Sequence, residues 1–118
     1  MASMRIERDK DPTLQNLSLL FTEAIDQDAD CINLEWVREG LEVTYIFGNT
    51  GLGKVIEDRR LAGSILKSLI KQAKLERKSR GVIEWVHRGK THKIHVSEYE
   101  SFGETCFRVM FKKSRRSV

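Results

Sequence analysis

The chain has one proline, two cysteines and no long apolar run, and each shortage removes a class of protein. A lone proline, Pro12, leaves no proline-rich linker or recognition segment. Cys31 and Cys106 lie far apart, form no CxxC pair and have no histidine at metal-ligand spacing. Both are therefore expected to be thiols, and no metal or redox cofactor is expected. The apolar runs extend only a few residues, far short of the roughly 20 that cross a bilayer. The opening MASMRIERDKDP is charged and is not followed by the apolar segment of a secretory signal, which makes the cytosol the expected compartment.

What remains, 118 residues with 40% hydrophobic and 32% charged side chains, suits one compact domain with a modest core. Residues 1–11 are expected to be a flexible N-terminus, 12–111 the domain and 112–118 a basic, frayed tail. The formal charge of +4 permits acidic partners without requiring any.

Asp11-Pro12 reads as a helix start, because Asp caps free N–H groups and Pro is tolerated where its missing N–H has no partner. Leu14, Leu17, Phe21, Ala24 and Ile25 then recur at helical spacing, with an end expected near Asp26 to Asp28. Ile32, Leu34 and Trp36 alternate with polar residues as a strand does. Arg38-Glu39-Gly40 reads as a turn, and Leu41, Val43, Tyr45 and Phe47 as an antiparallel partner strand. A glycine-rich turn from Gly48 to Gly53 leads to a short third strand, Leu52 to Ile56.

From Asp58 the period becomes helical again. Leu61, Ile65, Leu66, Leu69, Ile70 and Ala73 form the apolar stripe, and Lys67, Lys71, Lys74 and Lys78 its outer edge. Three more strands follow: Val82 to His87, Thr91 to Ser97 and Glu104 to Phe111, separated by Arg88-Gly89-Lys90 and by Glu98 to Gly103. In the last, Phe107, Val109 and Phe111 share a side. The expected fold is α+β, a mainly antiparallel sheet carrying two amphipathic helices in the order α-βββ-α-βββ.

Gly48, Gly53 and Lys54 fit most of a phosphate-binding loop, GxxxxGK followed by Ser or Thr. The glycines let backbone N–H groups curl around phosphate, Lys neutralises it and the hydroxyl holds magnesium. Val55 stands where that hydroxyl must be, and Val55-Ile56 reads as extended rather than as the helix such a loop enters. The stretch is a look-alike, and no nucleotide site is expected there. His92 and His95, three apart on a strand, point to opposite faces and cannot hold one ion together. No paired carboxylate or Ser-His-Asp arrangement accompanies them, so no catalytic residue is assigned and a self-contained enzyme is not expected.

Basic residues supply the remaining candidates. Lys67, Lys71, Lys74, Arg88 and Lys90 are the possible contacts to an acidic ligand, nucleic acid or partner, although a lysine row is more often the solvated side of a helix. Arg88, Lys90 and Lys93 around Trp85 would suit a single-strand platform. Trp85, set among Val82, Ile83 and Val86, is more simply a core residue of a sheet covered on both sides.

The segments PTLQNLSLLFTEAI (12–25), ADCINLEW (29–36), LEVTYIF (41–47), LAGSILKSLIKQA (61–73), GKTHKIHVS (89–97) and GETCFRVM (103–110) occur in an order and spacing that resembles a known family. It is the N-terminal PAS-like domain of type II secretion and type IV pilus assembly ATPases. The resemblance runs from Pro12 to Lys113. It implies a cytoplasmic, PAS-like interaction or regulatory module of a bacterial protein-transport machine, with a secretion or pilus ATPase, or another machinery component, as partner. The family's RxRxDG arginines, which in the intact motors reach nucleotide at an interface, fall on Thr44 and Ile46. The Asp and His of its DIHIEP motif are Cys31 and Asn33, while its Glu is kept as Glu35. The matched stretch stops where the linker to the motor would begin, which implies a module that docks on such a motor or is cut from a longer one.

Overall fold

Helix α1 (Pro12–Asp26) starts on the chain's single proline, at the first helical position where its missing N–H leaves no bond unmade. The computed structural model describes residues 12–112, so the expected cap, Asp11, and the tail from Lys113 onward lie outside the described residues. After α1 come β1 (Cys31–Val37), β2 (Gly40–Phe47) and β3 (Thr50–Ile56). Helix α2 (Arg59–Ala73) follows, and then β4 (Arg80–His87), β5 (Lys90–Ser101) and β6 (Glu104–Met110). The fold is α+β in the expected order α-βββ-α-βββ.

The strands form one six-stranded sheet, β3-β2-β1-β6-β5-β4, antiparallel at every junction. Two three-stranded meanders thus meet through the first and last strands. Helix α2 leaves one edge strand and delivers the chain to the other, so it has to traverse the sheet. Its 15 residues span about 22 Å at a rise of about 1.5 Å each. Five interstrand steps of about 4.8 Å make about 24 Å, so the helix matches the sheet's width.

Both helices end alike. Asp28 (φ 64°) and Lys74 (φ 57°) adopt the left-handed conformation, and the next N–H reaches back to the helix: Ala29 to the Ala24 carbonyl and Leu75 to that of Ile70, each at 2.9 Å. Ala29 and Leu75 are then buried, the apolar contact that accompanies this kind of stop. At the other end of α2, the Asp58 carboxylate accepts the N–H groups of Arg60 and Leu61.

The core lies on one side of the sheet. Ile32, Leu34, Leu41, Val43, Ile83, Trp85, Ile94, Val96, Phe107 and Val109 meet Leu17, Phe21 and Ala24 of α1 and Ile65, Leu66 and Leu69 of α2. Phe21 presents its ring edge-on to Trp85 at 5.1 Å and to Phe111 at 5.8 Å. Among the described residues no helix packs on the opposite side of the sheet, and on it Val82 and Val86 are 47% and 55% exposed. Trp85 is therefore a core residue as expected, but among the described residues the sheet is covered on one face rather than on both. Along β4 only alternate residues are buried.

Four turns are shorter than expected. Gly40 belongs to β2, paired with Val37, where a Cβ would collide with the Ile56 carbonyl oxygen. The glycine-rich turn is only Gly48-Asn49, because Thr50 to Gly53 already pair with β2. Glu98 to Ser101 extend β5 against β6, leaving Phe102-Gly103 as the turn. Lys90 likewise lies in β5, opposite His87. Lys112, expected in a frayed tail, is tied down by Asp28 at 3.2 Å and Asp30 at 3.3 Å.

Candidate functional site

The look-alike phosphate loop is taken apart by the fold. Gly48, at φ 61°, sits in the β2–β3 turn, and its N–H donates to the Asp30 carboxylate at 2.7 Å. That amide is committed to a side chain rather than free for a phosphate oxygen. Gly53 and Lys54 stand on the edge strand β3, not at a helix N-terminus. Lys54 Nζ lies 3.4 Å from Glu23 Oε1 and 5.6 Å from the centre of the Tyr45 ring. Glu23 also accepts the Tyr45 hydroxyl at 2.6 Å, which, with help from Lys54, holds its carboxyl below the usual range. Burial and that same carboxylate push the Tyr45 phenol up.

The expected lysine row is broken. Lys67 and Lys71 are exposed on α2, but Lys74 is its left-handed cap and Lys78 lies beyond the helix. Lys74, Lys78 and Arg80 line a groove of about 1020 Å³ where α2 ends above the start of β4. Lys112, His95 and Glu98 face the same space. Four cations thus share one groove among the described residues, and sequence reasoning missed it because Lys112, just beyond β6, joins Lys74, Lys78 and Arg80 from far along the chain. A helix C-terminus carries partial negative charge, which accounts for cations here and opposes an anion at the same place.

Arg88 and Lys90 lie elsewhere. They sit at the opposite end of β4, about 23 Å from Arg80 at about 3.3 Å per residue. The structure therefore does not gather the five expected contacts into one surface. Arg88 Nε donates to Asp26 Oδ1 at 3.2 Å, and His87 Nε2 meets that oxygen at 2.8 Å. These two hydrogen bonds, His87 first, hold the Asp26 carboxyl below its usual range. His92 lies beside His87, with ring centres 6.5 Å apart. His95 faces the other side of the sheet, opposite Val82. No sequence signal linked Asp26 to His87, since the contact spans 61 residues. Lys93 pairs with Glu84 on the uncovered face while Trp85 is buried beneath the helices, so no stacking platform forms.

The uncovered face has its own order. Arg108 donates to Asn33 at 3.1 Å and lies over the Tyr99 ring at 5.3 Å. Tyr99 stands opposite Cys106, and Thr44 and Ile46 lie on the same face opposite Asn33 and Cys31. Cys31 and Cys106 are free and buried, and burial raises both thiols.

Among the described residues, no group of three or more His, Cys, Asp or Glu is placed to hold a metal ion. No described helix is long and apolar enough to cross a membrane. The chain matches no model of a known protein family, and no curated protein is similar to it in sequence.

Proposed function

We propose that the protein is a non-catalytic interaction module that works at the cytoplasmic side of a type II secretion or type IV pilus machine, by docking on its ATPase or on a component beside it. The observation that carries this reading is the one-sided sheet. Both helices cover one face, while the other presents Thr44 and Ile46, the two positions at which the resembling family places its nucleotide-reaching arginines. An uncharged, half-buried patch at those positions suits contact with protein better than with phosphate. The order α-βββ-α-βββ, with first and last strands joined at the centre, agrees with the segment order on which the resemblance rests. The engagement of Lys54 by Glu23 also supports a role without nucleotide chemistry.

The test is calorimetric titration of the chain with the motor and with each neighbouring component. Binding that Ile46→Glu weakens is the expected result, and the absence of a partner throughout would end the docking reading. A second reading, an acidic ligand or single-stranded nucleic acid, has the groove of Lys74, Lys78 and Arg80 in its favour. Titration with an oligonucleotide across salt concentrations separates the two, since phosphate contacts weaken steeply with salt. No binding even at low salt would remove it.

A further inference from the structure

We infer that strand β4 is a self-complementary edge on which a second copy of this chain pairs antiparallel, joining two six-stranded sheets into one. β4 ends the sheet, and its register with β5 determines which way its backbone groups point. Glu98 N donates to the Ser79 carbonyl at 2.8 Å, so Ser79 and Glu98 are a hydrogen-bonded pair. Such pairs alternate along an antiparallel ladder. Gly81, Ile83, Trp85 and His87 therefore spend both backbone groups on β5. Arg80, Val82, Glu84 and Val86 aim theirs outward, and the same four side chains are exposed.

An edge with a free N–H and C=O row recruits another strand unless something prevents it. At the other end of the sheet β3 is blunted by Gly51, Gly53 and Lys54. β4 has no proline, and its outward positions read Arg-x-Val-x-Glu-x-Val. A two-fold axis through Val82 places Val82 against its copy, with Arg80 facing Glu84 on both sides of it. Moving the axis to Glu84 would oppose two glutamates, and moving it to Ile83 would set each charge against a valine. Only the Val82 axis matches the charges, and it is this match that selects a second copy of the chain rather than an unrelated extended segment.

The experiment is analytical ultracentrifugation of the chain and four variants, each checked for native circular dichroism. The wild type should show a weak, concentration-dependent dimer. Arg80→Glu or Glu84→Arg alone should weaken association roughly tenfold or more, because each turns two attractive cross-strand pairs repulsive. The double exchange Arg80→Glu/Glu84→Arg should restore the dimer, and an equimolar mixture of the two single variants should form heterodimers. Val82→Pro should leave a folded monomer, since it removes an N–H that no described strand uses. A wild type that stays monomeric to about 1 mM, a range where even weak pairing shows, overturns the proposal. A native double exchange that fails to associate, or a dimer that survives Val82→Pro, overturns it equally.

Discussion

Tyr45 on β2 donates its hydroxyl to Glu23 on α1 at 2.6 Å, tying the first helix to the sheet across 22 residues of sequence. Because the hydrogen bond favours the ionised acid, the Glu23 carboxyl titrates below its ordinary value of 4.5. A lowered acid contributes stability that is complete above the unfolded value and is lost as pH falls through the folded one. Tyr45→Phe should therefore cost about 1 kcal/mol at neutral pH. The deficit should shrink as the pH is taken well below 4.5. Urea titrations of both proteins at several pH values measure this, and Glu23→Gln should flatten the same dependence.

Two glycines should respond to alanine in opposite directions. Gly63 lies exposed in α2 with nothing near the place of a Cβ, so Gly63→Ala should stabilise the chain by about 0.5–1 kcal/mol through helix propensity. At Gly81 the Cβ would strike the carbonyl oxygen of Ala73, where α2 ends directly above β4. Gly81→Ala should lose about 2–3 kcal/mol, because backbone rather than a flexible side chain has to yield. Thermal unfolding of the two variants side by side decides it.

Periodicity made most of this fold legible, because a 3.6-residue repeat and a two-residue repeat are printed directly in the positions of Leu17, Phe21 and Ala24 and of Ile32 and Leu34. It failed where residue type and pairing disagree. Gly51 and Gly53 carry no strand signal, yet the ladder with β2 holds them extended. Glu98 and Ser101 look like turn residues but pair with Phe107 and Glu104. The helical stop at Lys74 has neither glycine nor proline to announce it, so the lysine row reads on past the end of α2. Val82 and Val86, apolar but unburied, made a one-sided sheet read as two-sided. The candidate site suffered most. Lys112 joins Lys74 and Arg80 only through strand order, and Asp26 meets His87 only through the packing of α1.

Phe21 is the point at which α1 is fastened to the second meander, since its ring meets both Trp85 and Phe111 and is 1% exposed. Phe21→Ala should cost about 3–5 kcal/mol, the transfer of the ring plus the cavity it leaves. That is a large share of the total of about 5–15 kcal/mol typical of a domain. Phe21→Leu keeps most of the volume and should lose much less, so the pair remains measurable by chemical denaturation even if the alanine variant unfolds.

The thiols of Cys31 and Cys106 provide a readout of the uncovered sheet face. Both side chains point to that face and both are nonetheless buried, Cys106 completely, with Tyr99 directly opposite it and Arg108 lying over Tyr99. Burial raises both thiols, which keeps the reactive thiolate scarce at neutral pH as well as hard to reach. An aromatic disulfide reagent should therefore label the native chain slowly and the denatured chain at two sites. Tyr99→Ala removes the ring opposite Cys106 and should speed its labelling about tenfold or more, with Cys31 little changed. Arg108→Ala should have a smaller effect in the same direction, since it frees the Tyr99 ring without removing it. Equal rates in the wild type and Tyr99→Ala would show that Cys106 is protected by the strands alone. A partner seated on this face should slow both thiols further, which ties the labelling rate to the proposed docking.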